Sequence, residues 1–223
     1  MRVLWALGLL GSVAHADVAS DVQVVLDDEV GWRPLRTDSS TGAVLSSKRV
    51  PALDLMAFRG ILPLPEDVDP ARLCAVLMDV ESHKAVTGRL DASVLISESD
   101  NSMTFYQVTK DPRTALTRRA WINRSDFVQS VDGVPGRCHR KWQTLDPAAH
   151  PETVAEIHAS FPEVVLVSVS HGSWSVQEEP DLGLSLVYRT VVDPSGNVPT
   201  IAYNRVVSRT LADNMMTFVA AAR

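Results

Sequence analysis

Only two cysteines, Cys74 and Cys138, occur in the 223 residues, and neither belongs to a C-x-x-C pair. The usual thiol-redox and zinc arrangements are therefore missing. Basic residues are in deficit: 21 Lys and Arg stand against 27 Asp and Glu, giving a formal charge of −6 and a pI near 5.5. A general nucleic-acid binder needs the opposite balance to neutralise phosphates, so the expected partner is neutral or apolar. There is no G-x-S-x-G elbow and no phosphate-cradling glycine loop, and none of His15, His83, His139, His150, His158 and His171 falls into H-E-x-x-H or another familiar metal spacing. His171 and Ser173 share strand parity, but an ordinary polar pair on a strand accounts for them. Repeats, low-complexity tracts and linkers are absent as well, and the length suits one domain with one substantial core.

One apolar run stands apart, at the N-terminus. Met1 to Val13 carries a single positive charge followed by an apolar stretch too short to span a bilayer, and Ala14-His15-Ala16 is a small-x-small cleavage site. Residues 1–16 therefore read as a secretory signal peptide and 17–223 as the folded domain, exported to a periplasm or the outside. In that compartment the two cysteines could pair. Cys74, however, lies in the apolar helical run Leu73-Cys-Ala-Val-Leu77, where a buried free thiol is expected.

The chain then alternates little and repeats one pattern. Val22, Val25, Leu26 and Val30 are spaced as a short amphipathic helix, and Trp32 begins the body. Strands are expected over 43–50 and 53–62 as antiparallel neighbours, the second bent at Gly60. Asp69-Pro70 starts a helix, Asp accepting from first-turn amides and Pro preset for the first position, and its apolar face Leu73, Val76, Leu77, Val80 runs on to an end between His83 and Gly88. Strand patterns follow over 92–97, 103–109, 119–129, 138–145, 164–170, 174–178 and 184–192. The segment 147–161, with its prolines and histidines, reads as a loop with a helical turn. Asn123-Arg-Ser125 fits a glycosylation sequon but falls inside a strand pattern.

The last forty residues organise the rest. After the strand Leu184 to Val192 and the turn Asp193-Pro-Ser-Gly196, the positions Thr200, Asn204, Val207, Leu211, Met215 and Phe218 share one face of a closing helix. An apolar stripe there must cover something, and a sheet is the only large apolar partner in the chain. The fold class is thus α+β, a curved antiparallel sheet gripping a long C-terminal helix, with a smaller helix between early strands. The helix either packs as ordinary core or closes a cavity. Along 184–192 the alternating set Leu184, Leu186, Tyr188, Thr190, Val192 mixes hydroxyls into an apolar face, as a pocket for an apolar ligand requires, with Phe105 and Trp142 as further wall candidates.

Four strings, in this order, carry a resemblance: Ala57-Phe-Arg-Gly60, Leu77-Met-Asp-Val-Glu81, Gly172-Ser-Trp174, and Asp193-Pro-Ser-Gly-Asn-Val-Pro199 with Asn204. Together they resemble the START (StAR-related lipid-transfer) domains of the helix-grip superfamily, from about Asp17 to the C-terminus. The resemblance implies a hydrophobic tunnel between sheet and closing helix that holds one lipid without catalysis. Asn204 matches the family's Asn of that helix, and Val207, Leu211 and Met215 continue its inward face. One departure stands out. Where relatives read Arg-Asp before the middle strand, this chain reads Arg118-Arg119, so Arg119 must find solvent, another carboxylate or a ligand headgroup. The expected ligand set is Phe105, Arg119, Trp142, Tyr188, Asn204, Val207, Leu211 and Met215. No cofactor or metal is expected, and the protein should be a monomer that touches membranes transiently. Two other readings stay open: a cyclase- or hydrolase-like enzyme in the same pocket, and a ligand-sensing module that docks a partner.

Overall fold

The computed structural model describes residues 21–110, 117–196 and 198–223; the expected signal peptide lies outside them. Ten strands form one sheet: β1 (Arg33–Thr37), β2 (Val44–Val50), β3 (Leu55–Pro63), β4 (Leu90–Ser99), β5 (Ser102–Thr109), β6 (Arg119–Val128), β7 (Cys138–Thr144), β8 (Val165–Leu166), β9 (Ser170–Glu179) and β10 (Gly183–Val192). Their order across the sheet is β1-β2-β3-β10-β9-β7-β6-β5-β4, every neighbour antiparallel, with the two residues of β8 added in parallel beside β6. Five helices join them: α1 (21–27), α2 (Pro70–Met78), α3 (His83–Thr87), α4 (Pro151–Ser160) and α5 (Thr200–Ala221).

The registers assign every side chain to one of two faces, because paired residues across a ladder point the same way. Leu45, Gly60, Tyr188 and Trp174 form one such row, and Trp142, Gly172 and Thr190 another. This inner face receives α5, whose Leu211, Met215, Phe218 and Val219 join Leu45, Phe58, Leu62, Trp142, Trp174, Val176 and Leu186 in the largest buried cluster. The outer face is covered elsewhere by α1, through Val22 and Leu26 on Val50, Ala57 and Val191, and by α4, whose Ile157 packs on Tyr106, Val108, Ala120 and Ile122.

Four local expectations change. The helix expected from Asp69 onward is two helices: the Asp69 carboxylate caps Ala71 N–H at 2.9 Å as anticipated, but α2 stops at Met78 and α3 begins at His83. Residues 147–161 are not a loop but contain the ten-residue α4, opened by Pro151 at its first position. The apolar run 164–170 yields only the two-residue β8. The strand β1, unmarked by alternation, pairs with β2 through a bulge between Pro34 and Arg36.

The cysteines are a correction of substance. Cys74 and Cys138 form a disulfide with a Cα–Cα separation of 5.9 Å, tying α2 to β7. Position 74 is buried, as expected; what the helical pattern could not show is that α2 lies across the inner face opposite Cys138.

Candidate ligand site

The inner face is lined by an aromatic rack. Tyr188 stacks on its cross-strand partner Trp174, ring centroids 3.8 Å apart and planes within 10°, while Trp142 lies 5.9 Å from Tyr188 and Phe218 of α5 lies 5.0 Å from Trp174. Trp142 reaches Tyr188 by lying flat over Gly172, where a Cβ would collide with its ring. Gly60 does the same for α5: a Cβ there would meet the Met215 sulfur at 2.5 Å. Gly60 and Gly172 thus set how closely α5 and Trp142 approach the sheet.

This packing divides the α5 stripe. Leu211, Met215 and Phe218 are buried and mesh with strand residues, so the second half of the helix is core. In the first half, Tyr203, Asn204 and Val207 are only half-buried. Tyr203 and Tyr188 both have phenol pKa values raised, chiefly by burial, yet each keeps accessible surface. A groove of about 330 Å³, lined by Leu35, Ser47, Met56, Phe58, Asn204, Arg205 and Ser208, runs between β1–β3 and α5. A second hollow, about 320 Å³, lies at the β6–β7 hairpin around Asp132, Arg137, His139 and Glu178, well away from α5.

The eight expected ligand residues do not form one lining. Tyr188 and Trp142 lie on the inner face, Asn204 lines the groove beside α5, and Val207 stands half-buried on the same helix. Leu211 and Met215 serve packing. Phe105 is buried, with the Arg140 guanidinium 4.9 Å above its ring. Of the partners expected of it, Arg119, half-buried, keeps solvent and pairs with no carboxylate among the described residues. Its Nε donates to Pro194 O at 3.1 Å and Nη2 to Ser195 O at 3.4 Å, so it clamps the turn between β10 and α5, and Nη1 bonds the Thr117 carbonyl. Arg118 pairs with Asp91.

Several interior polar groups were not anticipated. Trp121 Nε1 donates to Gln107 Oε1 at 3.2 Å, which orients the Gln107 amide nitrogen toward Ser93 Oγ (2.9 Å) and His83 Nδ1 (3.3 Å). His83 Nδ1 is then an acceptor, and burial holds the ring neutral by pushing its pKa down to about 3. Arg140 is 2% exposed and pairs with no carboxylate among the described residues. Instead Nη1 donates to Leu77 O at 2.6 Å in the last turn of α2 and Nε to Ser125 Oγ at 2.8 Å; burial lowers its pKa to about 9. A cation at the negative end of a helix is favourably placed. Asn123, also 2% exposed, shares the inner row with Phe105 and Thr144, and its Oδ1 has no partner among the described residues.

No protein-family profile matches the chain, and a sequence comparison with curated proteins finds no match. Structure is more informative. The chain is similar to human StAR-related lipid transfer protein 5, at 14% identity and a TM-score of 0.70 over 95% of each chain. It is also similar to a STAR-related lipid transfer protein fragment from Xanthomonas axonopodis, at 18% identity and a TM-score of 0.65, covering 86% of this chain and 99% of that one. The fold is that of the START domains. In START terms, α5 is the closing helix and the concave sheet its grip, as the four sequence strings implied. Asn123 appeared in the sequence only as a sequon on a strand. Its inward direction emerges from the β5–β6 register, and its burial removes it as an accessible glycosylation acceptor.

Proposed function

We propose that this START-fold protein binds and carries a single hydrophobic ligand on the concave face beneath the first half of α5, with no catalytic step. The observation that carries the reading is the uneven seating of α5: its first half, with Tyr203, Asn204 and Val207 only half-buried, lies over the sheet that carries the Trp142–Tyr188–Trp174 stack and borders a groove of about 330 Å³. A hollow that is walled by aromatic rings and dotted with a few neutral polar groups supplies affinity from its walls and orientation from its hydroxyls. The named START neighbours are lipid transfer proteins, which supports the same reading.

The ligand's route is the groove beside Asn204. A long acyl or sterol body exceeds about 330 Å³, so the first half of α5 swings or frays to admit it, while the packed second half stays in place. Ile201 (78% exposed), Val206 and Leu35 stand exposed near this mouth, an apolar rim suited to brief contact with a membrane. Export fits the Cys74–Cys138 disulfide, which is at home in an oxidising compartment. The test is to express residues 17–223, extract the purified protein with organic solvent and identify what is released by mass spectrometry. A bound lipid is expected; a protein that is reproducibly empty and ignores sterols, fatty acids and phospholipids overturns the proposal.

A further inference from the structure

The chemistry of the interior narrows what the ligand's polar end is. Asn123 sits on β6 at the inner face, opposite Phe105 on β5 and Thr144 on β7, with Trp121 and Ser125 as its same-face neighbours along the strand. It is 2% exposed and its Oδ1 has no partner among the described residues. A buried amide oxygen without a donor is costly, so a fold that keeps one meets it with an ordered water or gives it a role at a site. The neighbouring polar groups are already committed. Gln107 binds Trp121, Ser93 and His83; Ser125 donates to Lys141 O at 2.7 Å; and Thr144 donates to Ser170 O at 2.9 Å. On β5, β6 and β7, Asn123 alone among the described residues points an unmet group inward; His83 Nε2, on α3, is the other buried atom over this face without a partner.

Resting on the carrier reading above, we infer that Asn123 receives the ligand's head, and that this head is uncharged and carries an O–H or N–H: a lipid alcohol or amide. A carboxylate or phosphate brings only acceptors to Oδ1. The interior cation that would otherwise welcome one, Arg140, is engaged by the Leu77 carbonyl, Ser125 and the Phe105 ring, and Arg119 is spent on the Pro194–Ser195 turn. An ammonium head meets the opposite problem: Arg140 shares the Phe105 neighbourhood, and no carboxylate faces Asn123 from β5, β6 or β7. A hydroxyl or amide both donates and accepts, so it satisfies the Asn123 amide in either orientation.

The experiment compares four probes of one chain length, hexadecanol, hexadecanamide, hexadecanoate and hexadecylammonium, by native mass spectrometry and tryptophan fluorescence on the wild-type mature protein, Asn123→Leu and Asn123→Thr. Wild type is expected to prefer the alcohol and the amide. Asn123→Leu should weaken both by about tenfold, the loss of one buried hydrogen bond, and leave the two ions unchanged. Without ligand, Asn123→Leu should melt above wild type, because the unmet amide is gone. Asn123→Thr, which keeps a hydroxyl on a strand-compatible side chain, should retain the alcohol and decides the matter if the leucine variant does not fold. The inference is overturned if hexadecanoate or hexadecylammonium binds tightest, or if Asn123→Leu holds hexadecanol as tightly as wild type. Where a co-purifying lipid is present but no probe binds, a hydroxyl or amide head on that lipid supports the inference and any other head overturns it. A wild type that takes up no probe and yields no lipid fails the carrier reading itself, and the inference falls with it.

Discussion

Two glycines show how single positions shape the interior. At Gly172 an added Cβ collides with the Trp142 ring and with the Arg189 carbonyl of the adjacent strand, neither of which can retreat without breaking a stack or a ladder. Gly172→Ala is therefore expected to destabilise the protein by about 3 kcal/mol, the upper end for overpacking, read from urea unfolding midpoints at constant m-value. At Gly60 the obstruction is the mobile end of Met215, which can turn aside. Gly60→Ala should cost about 1 kcal/mol, and Met215→Leu, whose branch cannot turn aside, should make the same change costlier. A double-mutant cycle on Gly60 and Met215 that showed no coupling would mean that the helix sits farther from the sheet than described. Gly60 was legible as a bend in a strand and Gly172 as part of a motif, but the residue each makes room for lies far along the chain and no local pattern names it.

For the elements, the contrast within α5 is the main point. Leu211, Ala212, Met215, Phe218 and Val219 are buried, whereas no residue from Thr200 to Thr210 is. The periodicity of 200, 204, 207, 211, 215 and 218 marks one face, yet period alone is silent on how deep each position sinks. Amide exchange should separate the halves: residues 201–210 are expected to exchange well before 212–221, and a bound lipid to slow the first half selectively. Uniform protection along α5 in the empty protein would argue against a moving first half. The disulfide acts between elements too. Cys74 and Cys138 are 64 residues apart, and closing a loop of that size removes unfolded-state entropy worth about 4 kcal/mol in the chain-entropy account. The double variant C74S/C138S should lose about 2–4 kcal/mol in urea titrations under oxidising conditions, and the wild type in reductant should approach it. The sequence could not supply this link, since the pairing depends on how α2 crosses the sheet. The same limitation hid α4: its short apolar pattern makes sense only once Ile157 is seen against Tyr106 and Ile122.

Across the whole molecule, the outer face is held by an acidic clasp. Three consecutive carboxylates at the end of α1 reach four cations on four strands: Asp27 bonds Lys141 on β7, Asp28 bonds Lys48 on β2, and Glu29 bridges Arg59 on β3 and Arg189 on β10. Glu29 is exposed, so its individual pairs are worth little; their common effect is to fix α1 over buried polar residues. Beneath it His139, hydrogen-bonded to Ser175 Oγ at 2.6 Å, and His171, 5% exposed, are pushed by burial from 6.5 down to about 4. The groups facing His139 are Lys141, Asp27 and Arg189, while burial alone depresses His171. A folded-state pKa below the unfolded one means that the unfolded chain binds more protons between the two values. The histidine contribution to stability is accordingly complete above pH 6.5 and is lost as the pH falls from 6.5 toward 4; His83, depressed to about 3, adds to the same slope. The Asp28 carboxylate, lowered chiefly by the Val30 amide, gives way only below its ordinary 3.8. The melting temperature should hence be flat near neutrality and drop between pH 6.5 and 4. His171→Asn and His139→Gln should each flatten part of that drop, as measured by differential scanning fluorimetry across the pH series. A melting temperature unchanged down to pH 4 would mean that these rings sit in contact with water and that α1 does not seal the outer face.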